Sequence, residues 1–131
     1  MVRAFYHYLD LGDVRRAGTY IDQAAAALGP FQRFGHPRVY PELAYYLARY
    51  KQNPSAARIR LNQTRKNDAL PHVVLRAEAA IALAEDRFED AQTKARQALL
   101  LVDEHSPPGI AQAEREWLAS ISEDAAAAIE D

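Results

Sequence analysis

Three short breaks in this chain are followed, at one fixed distance, by alanine. Five residues after Gly12, Gln52 and Asp86 stand Ala17, Ala57 and Ala91. Two residues after the same positions stand Val14, Pro54 and Phe88; nine after stand Ile21, Leu61 and Ala95; twelve after stand Ala24, Thr64 and Ala98. The interval from Ala57 to Ala91 is 34 residues and that from Ala17 to Ala57 is 40, with the excess in the connection 29–37. A small residue in the first turn of a helix lets it approach its neighbour closely, where a larger one would hold the pair apart. A pattern recurring at this period describes a helix–turn–helix unit stacked on copies of itself.

The composition agrees with helix. Alanine is abundant, glycine is limited to five residues, and β-branched residues are few, so helix propensity is high over any long window. The seven prolines fall between candidate helices or in their first turns, where a missing N–H costs nothing. The expected helices cover residues 1–11, 13–28 (capped by Asp13), 39–51, 54–66 (capped by Asn53, Pro54 in first place), 71–85, 88–102, and a last one opened by Ser106-Pro107-Pro108. In that last helix Ile110, Ala113, Trp117, Leu118 and Ile121 form one apolar stripe, and the tail from Glu123 is expected to fray. Short breaks imply antiparallel hairpins, so the first six helices pair as three units and the seventh is left over.

On these positions the sequence resembles the tetratricopeptide-repeat family. Ala79, Phe88, Ala91 and Ala98 of the third unit match its small, aromatic and alanine positions. The chain departs from the pattern in lacking the early tryptophan and the mid-helix glycine, and Tyr45 and Phe5 stand where units two and one should carry a small residue. The resemblance implies an all-α, right-handed stack of three antiparallel helix pairs (residues 1–28, 38–66 and 71–103), with residues 107–129 as a capping helix. Helix 1 begins as if cut short, so the chain is expected to be part of a longer one. The resemblance also implies that the first helix of each pair lines a concave side. That register brings Tyr6 and Leu9, then Glu42, Tyr46, Arg49 and Tyr50, then Val73, Arg76, Ala80 and Leu83 to the inner face. Tyr45 is expected in the core. Tyrosine and arginine supply rigid contact area and hydrogen bonds to recognition surfaces. Tyr6, Glu42, Tyr46, Arg49, Tyr50 and Arg76 are therefore the expected partner-binding residues. The Lys and Asn set of the family's two-carboxylate clamp is absent.

Chemistry is not expected. The chain has no cysteine, and His7, His36, His72 and His105 are scattered without metal-ligand spacing. Glu78, Glu85, Glu89 and Asp90 lie on a polar helix face rather than in the desolvated, unlike environments that acid–base pairs need. No nucleophile elbow, P-loop or dinucleotide fingerprint occurs. No catalytic residue, metal or cofactor is expected, and no apolar run reaches the length of a membrane span. Net charge is −2, yet residues 1–66 hold eleven Lys/Arg against four Asp/Glu, and residues 67–131 hold five against fourteen. Lys51, Arg58, Arg60, Arg65 and Lys66 crowd one helix, but the slightly acidic whole reads as a solvated basic face, not a nucleic-acid site. The expectation is a cytoplasmic scaffold binding a protein or peptide; the alternative is a structural or oligomerising domain of a larger enzyme or membrane protein.

Overall fold

The computed structural model describes residues 2–28, 38–64 and 70–130. They form seven α-helices and no strand: α1 Val2–Asp10, α2 Val14–Leu28, α3 Val39–Tyr50, α4 Pro54–Asn62, α5 Pro71–Ala84, α6 Phe88–His105 and α7 Pro108–Glu130. Each helix packs on the next, so α1–α2, α3–α4 and α5–α6 are the three expected hairpins. The first helices also touch one another in series, α3 against α5 and α5 against α7. No helix among the described residues is long and apolar enough to cross a membrane.

The three hairpin turns are built alike. Gly12, Gln52 and Asp86, the positions aligned in the sequence, are the residues of positive φ among those described (81°, 53° and 63°). In the first turn Gly12 N–H bonds Leu9 C=O (3.0 Å) and Asp13 N–H bonds Tyr8 C=O (2.8 Å); in the third, Asp86 bonds Leu83 (3.2 Å) and Arg87 bonds Ala82 (2.8 Å). This is the left-handed helix stop that satisfies carbonyls otherwise orphaned at a C-terminus. The second turn is one residue wider, with Asn53 N–H reaching Leu47 C=O (3.0 Å). The next helix then starts identically in each: Ala17, Ala57 and Ala91 donate to the carbonyls of Asp13, Asn53 and Arg87 at 3.0–3.1 Å. Asp13 and Asn53 add side-chain caps, accepting from Arg16 N–H (3.2 Å) and Ala56 N–H (3.1 Å). Arg87 has no acceptor to offer and makes no such cap.

All three aligned alanines are fully buried, as are Ile21, Ala95 and Ala98. Close approach goes furthest at Gly18 on α2, where an added Cβ would collide with the ring and hydroxyl of Tyr46 from α3. Tyr45 is buried, as expected of a core ring. Several expectations change. The tail from Glu123 does not fray: α7 runs to Glu130 because Ala125 is buried and Asp124 is held by Arg49. In α7 Trp117, Leu118 and Ile121 are buried as expected, but in the first two turns Ala111 and Glu114 are buried in place of the half-buried Ile110 and Ala113, and Ala125 continues the stripe. Helix α6 continues to His105, and α4 ends at Asn62 in a tightened turn, Gln63 N–H to Arg60 C=O and Thr64 N–H to Leu61 C=O. The connection 29–37, with Phe31 and Phe34, and residues 65–66 lie outside the described residues.

Candidate functional site

The first helices and α7 turn one polar cluster inward. Arg76, in the middle of α5, donates through Nη2 to Glu42 Oε1 on α3, and its Nη1 lies 3.6 Å from Glu114 Oε2 on α7. The guanidinium is sandwiched, 4.7 Å above the Tyr45 ring and 5.1 Å above the Trp117 ring. Arg76, Glu42 and Glu114 are each no more than 1% exposed. One cation thus ties three helices together, and in so dry a setting each charge depends on the others.

The cluster extends at both ends. Ser106 Oγ donates to Glu114 Oε1 at 2.8 Å, and the buried His72 places Nε2 3.5 Å from Glu114 Oε2 and its ring 6.2 Å from that of His105. Burial first, then the positive charges of Arg38 and Arg76, push the His72 pKa down to about 4, so at neutral pH the ring is uncharged. At the other end Tyr6 of α1 stacks on Trp117 with centroids 6.0 Å apart and accepts a hydrogen bond from Arg38 Nη1 at 2.9 Å. Burial, and next the charge of Glu42, raise the Tyr6 pKa well above the usual phenol value. Burial opposes the charge on Arg76, but Glu42, then Tyr6 and Tyr45, outweigh it and hold its pKa above the usual arginine value. Glu42 Oε2, Arg76 Nε and Nη1 and both His72 ring nitrogens have no hydrogen-bond partner among the described residues.

The six expected contact residues therefore separate. Tyr6, Glu42 and Arg76 come together, but Glu42 and Arg76 are spent on each other inside the protein and offer no surface to a partner. Tyr46 is buried against α2 at Gly18, not beside Arg49. Arg49 turns to α7, donating to Ser120 Oγ (2.8 Å) and Asp124 Oδ2 (2.6 Å). Tyr50 is half-buried, 5.9 Å from the Tyr45 ring and 6.0 Å from that of Tyr46. The reason is the position of α3, which packs on α2, α4 and α5 and meets α7 through Arg49, so its first eight residues are all buried. Glu114, His72, Ser106 and Arg38 were not among the site residues expected from sequence. The one available signal was Glu114, a carboxylate at helical spacing within the apolar series of α7.

What stays open is a cleft of about 630 Å³ between α1 and the start of α7. Val2, Tyr6, Ile110 and Ala113 give it apolar surface, and Arg3, His7, Asp10 and Arg38 add polar groups to its lining. A second, smaller depression of about 430 Å³ lies over α5 between α4 and α6, and its cations are already engaged: Lys94 with Glu78 at 3.1 Å, Arg58 and Arg87 with Glu85. No group of three or more His, Asp or Glu side chains placed to hold a metal occurs among the described residues. No protein-family model matches the chain, and no curated protein or solved structure matches it.

Proposed function

We propose that the chain is a non-catalytic scaffold, a right-handed tetratricopeptide-like stack of three helix pairs capped by α7, that holds a peptide or partner domain. The repeat part of this reading is supported by three turns that each hold a residue of positive φ and are each followed by a buried alanine, with the first and third hydrogen-bonded alike. The binding part is carried by the open cleft between α1 and α7, the place where a half-buried aromatic ring, Tyr6, meets accessible apolar surface. Its volume falls in the range of about 300–1,000 Å³ that small ligand sites occupy. The inner face of α3 and α5 serves as the frame of this site, since its own side chains fill it. A cytoplasmic location belongs to the same proposal and rests on the cysteine-free composition.

Selection of a displayed random-peptide library against the protein tests the reading, with Ile110→Asp as the counter-selection. Enriched sequences that bind the parent and not the variant support it. No enrichment, or equal binding to a variant that keeps its helical content, overturns it. The structural-domain alternative is favoured by one observation, the buried Arg76 tie between α3, α5 and α7, and a stable oligomer in light scattering that Ile110→Asp leaves intact would support it.

A further inference from the structure

We infer that the cleft between α1 and α7 is filled by the outer face of α6 from a second copy of this chain. The inference names an occupant for the cleft and rests on the reading of that cleft as a docking site. Leu100 of α6 is 73% exposed, more than any other large apolar residue among those described, and Leu99 beside it is 39% exposed. One exposed leucine is common on protein surfaces, but Leu100 stands between opposite charges. Arg96 lies one turn before it and Glu104 one turn after, and all three are exposed. Residues four apart lie over one another on a helix, so the three form one row along the outer face. Ile59, the exposed apolar residue of α4, has Ser55 and Gln63 at those places and carries no such row.

The cleft carries the same pattern in reverse. Arg3, His7 and Asp10 run along the exposed side of α1 that lines it, and Val2, Ile110 and Ala113 supply half-buried carbon. At 1.5 Å per residue Arg3 and Asp10 stand about 10 Å apart along α1, and Arg96 and Glu104 about 12 Å apart along α6. An α6 laid antiparallel to α1 therefore sets Glu104 against Arg3 and Arg96 against Asp10, with Leu100 and Leu99 over the carbon between them. The opposite direction brings Arg96 to Arg3 and Glu104 to Asp10, so like charges exclude it. Among the described residues Arg3, Asp10 and Arg96 enter no ion pair, and Glu104 has only the ring of its neighbour His105, 3.7 Å away. Asp103 keeps its own tie to Arg115 at 2.8 Å and is not needed.

The two surfaces meet at the turn between α6 and α7. Glu104 precedes Pro107 closely, and Pro107, Gly109 and Ile110 line the cleft. A two-fold axis beside that turn lets each copy place α6 in the other's cleft, so the contact is made twice and the pair is closed. Exposed ion pairs add little to affinity. Here they set direction, while the leucines and the apolar lining they cover supply the buried area. A row of helix side chains entering the groove between two other helices is a familiar mode of recognition.

The test is sedimentation equilibrium of the full chain over a concentration series reaching the millimolar range, with helical content followed by circular dichroism. The parent is expected to dimerise. Leu100→Asp should abolish the dimer, and because Leu100 is exposed it gives a readout even if Ile110→Asp misfolds. Asp10→Arg and Arg96→Glu should each raise the dissociation constant by about tenfold or more, since each puts two like-charged contacts into the symmetrical pair. An equimolar mixture of these two variants should restore dimers. In the mixed pair the Asp10→Arg cleft faces the Arg96→Glu helix, and the other contact is that of the parent. A parent that stays monomeric, a dimer that Leu100→Asp leaves intact, or a mixture that associates no better than its components overturns the inference. A monomeric parent that still binds library peptides, with that binding lost in Ile110→Asp, overturns the second copy as occupant and leaves the scaffold reading standing.

Discussion

Replacing Arg76 with methionine keeps most of its packing volume and removes the charge that three helices share. Glu42 and Glu114, at most 1% exposed, then lie in the interior without their cation. Breaking a buried pair from one side costs about 3–5 kcal/mol. A cap on that cost comes from protonation, since neutralising an ordinary carboxylate at pH 7 takes about 4 kcal/mol. The cap falls by about 1.4 kcal/mol for each pH unit of acidification. His72 acts in the same direction, because loss of Arg76 removes one of the charges that keep its ring neutral, and a protonated ring can face Glu114. Arg76→Met should therefore lose about 3–5 kcal/mol at pH 7, much of the 5–15 kcal/mol typical of a domain, and distinctly less at pH 5. Urea titrations followed by circular dichroism and Trp117 fluorescence at both pH values give the two differences, with the midpoint read at constant slope. A loss below about 1 kcal/mol, or one of the same size at pH 5 and pH 7, would refute the reading of Arg76 as the counterion of both carboxylates.

Three further outcomes are expected. Because the folded pKa of His72 is depressed to about 4 from about 6.5, the unfolded chain binds the extra proton first; stability is full above about pH 6.5 and falls by up to about 3 kcal/mol on the way to pH 4. His72→Gln should flatten that part of the pH–stability profile, and a profile unchanged by the substitution would refute the assignment. Gly18→Ala should cost about 1–3 kcal/mol by driving a methyl into Tyr46, and Tyr46→Leu in the same chain should recover part of the loss in thermal melts. Gln52→Gly should stabilise by about 0.5–1 kcal/mol, since glycine holds a positive φ without the Cβ penalty and the exposed Gln52 side chain contributes no packing; a destabilised melt would contradict this.

The helix pairing was legible because its signals are local. A capping Asp13 or Asn53, a turn residue before it and an alanine four residues after it all fall within one short window, and the three windows could be compared with each other. The site was legible only by halves. The register implied by the resemblance turned Glu42 and Arg76 to the same inner face, but a register says which way a side chain faces and not what covers it. The covering helix, α7, lies at the far end of the chain, and the start of its buried stripe is turned by one residue from the one that apolar residues alone suggest, because Glu114 belongs to it. A carboxylate counted as polar hides such a register; the Ser106 hydroxyl and the cation on α5 together offset its burial. Tyr46 misled for another reason. Tyrosine is at home both on recognition surfaces and in cores, and the glycine that receives it sits 28 positions earlier on α2.

Alanine explains why such a cluster is useful here. The small residues that let helices come close, Ala17, Ala57, Ala77, Ala79, Ala91 and Ala98 among them, bury little carbon each and fit one another at many offsets. An interface of this kind is close but weakly specific, and a helix can slide along it by one turn at small cost. Arg76 removes that freedom, since it must meet Glu42 on one side, face Glu114 on the other and lie between Tyr45 and Trp117. Stability and uniqueness should then separate in one experiment. The triple change Arg76→Met, Glu42→Gln, Glu114→Gln leaves no charge stranded and is expected to recover most of the stability that Arg76→Met loses, within about 2 kcal/mol of the parent. It should not recover a single arrangement of α3, α5 and α7. Broadened amide resonances on those helices and binding of a hydrophobic dye, in a chain whose urea midpoint is near that of the parent, are the expected signs. Sharp, fully dispersed spectra from the triple variant would show that the alanine surfaces set the register unaided and that the ion pairs only fill space.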